Sequence, residues 1–116
     1  MKTDRELLEL AAKAAGMNTR EFATDSITRW HWRDDGTYTA WNPLTDDGDA
    51  LRLAVDLDLA IVPYPIYNKQ KHSVLVQKKN LDESRFEKME LHGDDPYAAT
   101  RRAITRAAAA IGESMP

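Results

Sequence analysis

The sequence predicts an α+β domain, a layered sandwich in which three helices pack on a mostly antiparallel sheet of about four or five strands. Two observations predict this class. Apolar residues recur at helical spacing near both ends of the chain, and β-branched and aromatic runs bounded by turn residues lie between them. The expected order is helix, two strands, helix, three strands, helix (αββαβββα). At 116 residues the chain suits one domain with short mobile termini.

The first helix is predicted to begin at Thr3, because Thr3 and Glu6 have the spacing of a capping box. Its apolar face comprises Leu7, Leu10, Ala11 and Ala14. Gly16 ends the helix. The next segment, 18–26, is polar and aperiodic, so we expect a connector with a short turn around 20–23.

A β-hairpin is predicted from two runs, 27–33 and 37–41, that are separated by Asp34-Asp35-Gly36. Asp-Gly supplies the positive φ that a short hairpin turn requires. Alternation places Trp30 and Trp32 on one face of the first strand, and we expect that face to meet the core. The opposite face is then expected to point outward with Arg29, His31, Arg33 and Trp41.

The segment after the hairpin contains the central joint of the predicted fold. Asn42-Pro43 stops the strand, because proline has no amide donor. Thr45 is expected to cap a helix that runs to about Asp58 and carries several acids in its first turn, where the helix dipole is positive. The apolar residues of this helix cover a wide arc, which predicts substantial burial. They are Ala50, Leu51, Leu53, Ala54, Val55 and Leu57.

The second half of the chain contains the remaining strands and the last helix. Strands are predicted at 59–62, 72–79 and, less regularly, 86–91, with a turn at 80–84. Pro63 and Pro65 place the Pro-Tyr-Pro segment at a sheet edge or in a loop. The last helix is predicted to be capped by Asp94 or Asp95, to begin at Pro96 and to stop at Gly112. Its expected core residues are Tyr97, Ile104, Ala107, Ala108 and Ile111.

Three stretches support a comparison with a known family. They are the aromatic strand ending in Trp41, the helix entry Asn42 to Val55 (Asn-Pro-Leu-Thr-Asp-Asp-Gly-Asp-Ala-Leu-Arg-Leu-Ala-Val) and the final helix from Asp95 to Ile104 (Asp-Pro-Tyr-Ala-Ala-Thr-Arg-Arg-Ala-Ile). With these stretches, most of the chain resembles small phage and prophage proteins that carry the phage ABA sandwich domain. The resemblance implies a layered α/β sandwich and a phage or prophage origin. It transfers no catalytic residue to this sequence.

The composition argues against several classes of protein. The absence of cysteine excludes disulfides, thiolate nucleophiles and zinc–thiolate sites, and it favours a reducing compartment. The N-terminal sequence lacks the apolar core of a signal peptide, and no stretch approaches the ~18 apolar residues of a membrane span. We therefore expect a soluble protein of the bacterial host cytoplasm with no membrane contact. A net charge of −3 argues against a dedicated nucleic-acid binder.

No set of residues has the spacing that a catalytic or metal site requires. His31, His72 and His92 are far apart in sequence, and no serine lies in a glycine-flanked nucleophile motif. The acids at 46–49 have the density of a calcium loop, but no glutamate follows at the twelfth position, so helix capping is the better interpretation. We expect no catalytic residue, no metal and no cofactor, although a triad assembled only by the fold would leave no trace in sequence.

Two sets of residues are candidates for binding. Because tryptophan, tyrosine and arginine dominate binding hot spots, the candidate partner-binding residues are Arg29, His31, Arg33, Trp41, Tyr64 and Tyr67. The candidate anion-binding residues are Lys69, Lys71, Arg101, Arg102 and Arg106.

These residues lead to two hypotheses. The first is a non-catalytic phage accessory protein that binds a host or phage macromolecule, with a protein as the expected partner. The alternative is a protein that binds or sequesters a small ligand such as a nucleotide-like anion. The proline-containing edge also suggests a homodimer. An enzyme is a third class, and the sequence does not choose among the three.

Overall fold

The fold is described from a computed structural model for residues 2–21, 29–64, 73–78, 88–91 and 95–116. In chain order the elements are α1 (Asp4–Ala14), β1 (Asn18–Glu21), β2 (Arg29–Trp32), β3 (Tyr38–Trp41), α2 (Asp47–Asp56), β4 (Leu59–Tyr64), β5 (Ser73–Lys78), β6 (Lys88–Leu91) and α3 (Pro96–Ser114). The predicted α+β class, single domain and three helices are confirmed, and the predicted order is found with one further strand, β1.

The strands of the described residues form two antiparallel sheets of three. Sheet A has the order β1-β2-β3, and sheet B has the order β4-β5-β6. The antiparallel pairing was predicted, but the division of the strands into two sheets was not. It arises because α2 lies between β3 and β4 in the chain, so each sheet is completed by strands that are near neighbours in sequence.

The first helix forms where it was predicted, but its buried residues are Leu7, Leu8, Ala11 and Ala12, and Leu10 and Ala14 of the predicted face are only partly buried. The Thr3 hydroxyl accepts from the Glu6 amide at 3.1 Å, and the Glu6 carboxylate accepts from the Thr3 amide at 3.2 Å, which completes the capping box. Gly16 follows the helix with a φ of 68°. The expected turn around 20–23 is wrong for its first two residues, because Arg20 and Glu21 pair with β2; the rest of it lies outside the described residues.

The hairpin between β2 and β3 is closed by the predicted Asp-Asp-Gly turn. Gly36 has a φ of 88° and donates its amide to the Arg33 carbonyl at 3.0 Å. The Asp35 carboxylate accepts from the Thr37 amide and hydroxyl, and these bonds lower the pKa of Asp35. The register places Trp32 opposite Tyr38.

The joint after β3 is organised by Asn42, which is buried. Its backbone amide donates to the Asp49 carboxylate at 2.9 Å, and its side-chain oxygen accepts from the Leu44 amide at 3.0 Å. Its backbone carbonyl accepts from the amides of residues 45 and 46. The N-cap of α2 is Asp46, which accepts from the Asp49 amide, so the prediction of Thr45 as the cap is wrong. Asn42 already turns the chain through Thr45, which moves the helix start one residue later.

Helix α2 is less buried than its wide apolar arc predicted. It ends at Asp56, two residues before the predicted Asp58. Ala50, Leu53 and Ala54 belong to the core, but Leu51 and Val55 are 59% and 66% exposed. Leu57, which follows the helix, also belongs to the core, so the exposed part of the predicted arc is Leu51 and Val55.

Sheet B follows the predicted alternation. Val74 and Val76 of β5 are fully buried, whereas Leu75 on the opposite face is not. Among the described strands, β4 lies at an edge of sheet B, as Pro63 predicted, because a proline has no amide to donate to a central ladder. The expected turn at 80–84 lies outside the described residues.

Helix α3 connects the layers. Asp95 is its N-cap, followed by Pro96 at the first position, as predicted. The prediction of Tyr97 in the core is wrong, since its side chain is 71% exposed. Gly112 does not stop the helix, which continues to Ser114. Among the helices described, none is long and apolar enough to cross a bilayer.

The core lies where α3 meets α1, α2 and sheet B. Its members include Leu8, Ala11, Trp41, Leu53, Val76, Ile104, Ala107 and Ala108. Small residues on α3 allow this convergence, because they let the helix axes approach closely. A close approach of the two helices occurs at Gly112, where an added Cβ would collide with the carbonyl of Leu10 on α1.

We predict that Gly112→Ala destabilises the protein by about 1–3 kcal/mol, because the new methyl group forces α1 away from α3. Glycine to alanine normally stabilises a helix by up to about 1 kcal/mol. Gly48→Ala in α2 is the matched control, since the atoms nearest to its Cβ would be the side-chain ends of Arg52 and Asp46, at 3.1–3.3 Å, and not backbone. Urea denaturation of both variants measures the difference. Equal stability of the two variants would contradict the close packing of α1 on α3.

A second prediction concerns the acid dependence of the capping box. Hydrogen bonds from Thr3 lower the pKa of Glu6 below its usual 4.5. A carboxyl whose pKa is lowered on folding stabilises the native state above its unfolded pKa, and this contribution is lost as the pH falls through the folded pKa. The difference in free energy of unfolding between wild type and Glu6→Gln should therefore be largest at neutral pH and shrink below about pH 4.5. Denaturation of both proteins between neutral pH and pH values below 4.5 measures this difference. A difference in free energy of unfolding that does not change with pH would contradict the capping box.

Candidate functional site

The hairpin of sheet A carries four of the six residues that the sequence nominated for partner binding, and it presents two of the four differently from the prediction. Alternation is as expected, with Arg29 directly opposite Trp41 on one face. The assignment of this face as outward is wrong at both positions, because Trp41 is 5% exposed within the core and Arg29 is 9% exposed. Arg29 donates to Thr19 at 2.8 Å and lies 3.6 Å from the Glu9 carboxylate, so it ties sheet A to α1.

The opposite face of sheet A carries a cluster that we call the aromatic face: Arg20, Trp30, Trp32 and Tyr38. The rings of Trp32 and Tyr38 stack with centroids 4.5 Å apart, and Trp30 meets Tyr38 edge-on at 5.3 Å. The Arg20 guanidinium lies 4.8 Å from the centroid of the Trp32 ring, which is within cation–π range. Tyr38 is 52% exposed and both tryptophans are half-buried. The expectation that the two tryptophans fill the core is therefore wrong, because they pack on Tyr38 and Arg20.

A second feature, the hairpin cleft, lies between sheet A and α2 and has a volume of about 330 Å³. His31, Arg33, Thr39, Ala40 and Trp41 line it from the hairpin, with Met17, Asp49, Arg52, Leu53 and Asp56 from the rest of the domain. Three of the nominated residues, His31, Arg33 and Trp41, thus meet in one cleft. The Asp49 carboxylate binds Arg52 at 2.8 Å and raises the pKa of this arginine.

A third feature, the charged groove, has a volume of about 710 Å³ between α1, β6 and α3. It is lined by Lys2, Asp4, Leu7, Lys88, Glu90, Arg102, Arg106, Ala109, Ala110 and Glu113. Arg102 and Arg106, two of the five nominated anion-binding residues, lie here one turn apart. Each is already bound to a carboxylate, Arg102 to Asp4 at 2.8 Å and Arg106 to Glu90 at 3.0 Å. An incoming anion would have to displace these carboxylates.

Arg101 does not join the other two arginines. It donates to the Leu44 carbonyl at 2.9 Å and to the Asp47 carboxylate at 2.7 Å, with only 17% of its side chain exposed. It therefore fastens α3 to the start of α2. Lys69, Lys71 and Tyr67 lie outside the described residues, and for Tyr64 only the backbone is described. Tyr64 ends β4, at the sheet edge where the sequence suggested homodimerisation, which stays a prediction.

Sequence reasoning missed the aromatic face as a unit and the α2 side of the cleft. The contact of Tyr38 with Trp32 could have been predicted from the sequence, because counting the hairpin register from Gly36 places the two residues opposite each other. The place of Arg20 in this cluster was not predicted, because the segment that forms β1 was interpreted as a connector. Arg52 and Asp56 gave no signal in sequence, since they reach the hairpin only through the Asn42 joint.

Within the described ranges, no group of three or more His, Asp or Glu side chains is arranged to hold a metal ion. The carboxylates at the start of α2 cap the helix or bind arginines. Comparison with known proteins adds no further assignment: no family model matches the chain, and no curated protein or solved structure is detectably similar to it.

We predict that Arg101→Gln destabilises the protein by about 1.5–3 kcal/mol, because a shielded charged group loses its hydrogen bonds to α2. Arg102→Gln is the matched control; its ion pair with Asp4 is about 40% exposed and should contribute about 0–1 kcal/mol. Thermal denaturation of both variants gives the comparison. A larger loss for Arg102→Gln would show that Arg101 is not the structural arginine.

Proposed function

We propose that this protein acts by non-catalytic binding to another protein, which it contacts through the aromatic face. In line with the family resemblance, we further propose that it is a phage or prophage accessory protein working in the bacterial host cytoplasm. The observation that carries the proposal is the solvent-accessible cluster of two tryptophans, a tyrosine and an arginine on a sheet face turned away from the core.

The residue types of the aromatic face and the fixed orientation of their side chains favour a contact surface. Tryptophan, tyrosine and arginine are enriched among residues whose loss most weakens protein complexes. Here Trp32 is held between Tyr38 and Arg20, so its orientation is set before a partner arrives. A side chain that is already ordered loses little conformational entropy on binding, which increases the net affinity.

The charge around the cluster favours a protein over a nucleic acid. Arg20 is the one cation among the four residues of the aromatic face, and Asp34 and Asp35 are exposed at the tip of the adjoining hairpin. Nucleic-acid surfaces combine stacking rings with several lysines or arginines that follow the phosphates. An apolar patch on a protein, bordered by a carboxylate that can approach Arg20, is the better complement.

The proposal is tested by affinity capture from bacterial lysate with wild type and the double variant Trp32→Ala/Tyr38→Ala. A protein partner should be retained by wild type and bind the variant at least about 30-fold more weakly, since hot-spot residues contribute about 2 kcal/mol or more. Leu51→Ala/Val55→Ala is the control, because it removes an exposed apolar pair from α2, away from the aromatic face. This control should retain the partner.

A photo-crosslinking amino acid at position 38 then identifies the contact directly. Two results would contradict the proposal. One is a partner that the double variant captures as well as wild type does, and the other is a partner whose capture is lost after nuclease treatment. The two-dimensional amide NMR spectrum of each variant shows whether it is folded, so loss of binding is not confused with loss of structure.

A further inference from the structure

The hairpin cleft is separate from the aromatic face. Alternation along β2 and β3 places His31, Thr39 and Trp41 on the side of sheet A opposite Trp32 and Tyr38. The two surfaces therefore lie on opposite sides of the sheet, and the occupant of one would not contact the residues of the other.

The cleft combines an apolar base with charged walls. Trp41 and Leu53, 5% and 2% exposed, belong to the core and line the cleft together with the half-buried Met17. A volume of about 330 Å³ is at the small end of ligand pockets, which limits the occupant to about the size of one amino acid.

The wall formed by the hairpin is basic. The Arg33 guanidinium donates from Nη2 to the Thr39 hydroxyl at 3.0 Å, and it makes no ion pair with any described residue. A guanidinium has five N–H donors, so this single bond leaves the group able to bind a carboxylate, while Thr39 orients it. His31, directly opposite Thr39 in the sheet, adds a second polar group to the same wall.

The wall formed by α2 is acidic. Arg52 is surrounded by Asp46, Asp49 and Asp56, all of which raise its pKa. Asp49 is occupied by the Asn42 amide and by Arg52. Asp56 is exposed and makes no ion pair with any described residue, so its carboxylate is able to accept a cation. Arg52 with Asp49 and Asp56 leaves this wall with one net negative charge.

From these opposed walls we infer that the hairpin cleft binds a small zwitterion, an α-amino acid with an apolar or aromatic side chain. The ligand carboxylate binds Arg33, the ammonium group binds Asp56, and the side chain packs on Trp41 and Leu53. Free amino acids carry both charges at neutral pH, so one ligand satisfies both walls.

The test uses three probes that share the phenylalanine side chain and differ at their two charged groups: L-phenylalanine, L-phenylalaninamide, which lacks the carboxylate, and N-acetyl-L-phenylalanine, which lacks the ammonium group. Titration into the uniformly ¹⁵N-labelled protein, followed by amide NMR, should shift cleft residues such as His31, Thr39 and Leu53. L-Phenylalanine should bind at least about tenfold more tightly than either blocked probe, because each blocked probe loses one charge-assisted contact.

Two variants assign the charges. Arg33→Gln should weaken binding of L-phenylalanine about tenfold and leave the affinity for L-phenylalaninamide unchanged. Asp56→Asn should also weaken binding of L-phenylalanine about tenfold, and it should leave the affinity for N-acetyl-L-phenylalanine unchanged. Arg5→Gln on α1 and Asp58→Asn just after α2 are matched controls, exposed and outside the cleft, and should bind like wild type.

The inference is overturned if millimolar L-phenylalanine shifts no cleft amide, or if all three probes bind equally well. It is also overturned if Arg33→Gln weakens the amide as much as the free amino acid. The probe comparison on wild type stands by itself, so the conclusion does not depend on any variant folding.

Discussion

The structure depends on the close packing of α3 against three partners at once. Alanines and Gly112 let the α3 backbone approach α1, while Ile104 and neighbouring alanines meet the valines of sheet B in the core. Larger residues at these positions would keep the layers apart and leave voids between them. The short side chains of α3 thus allow a chain of this length to build one continuous core from elements far apart in sequence.

Charged residues attach the outer parts to this core. Arg101 binds the entry to α2, Arg29 links β2 to α1, and Arg106 links α3 to β6. Each ion pair joins two different elements, and Arg101 and Arg29 are more shielded than the other paired cations, which increases their contribution. This use of arginine explains why the nominated anion-binding set divides: some of its members hold the fold together.

Among the described residues of sheet A, Trp41 belongs to the core cluster, and it leads into the Asn42 joint. The two faces of the sheet present different surfaces. One is covered by rings that pack on each other, and the other forms a wall of the cleft against α2. Because a strand alternates its side chains, one hairpin can carry a contact surface for a protein and a cleft for a small molecule without the two sharing a residue.

The sequence by itself determined the local structure: the capping box at Thr3, the Asp-Gly hairpin, the proline edge strand and the Asp95-Pro96 helix start all formed, since each depends on residues within a few positions. It also determined the alternation along β2, but not which face of that strand meets the core. Only the tertiary structure decided that, and it likewise made Arg101 a structural arginine, exposed Leu51 and Val55, and brought Arg33 near α2. These outcomes depend on which surfaces meet across long sequence separations, and no local pattern encodes this.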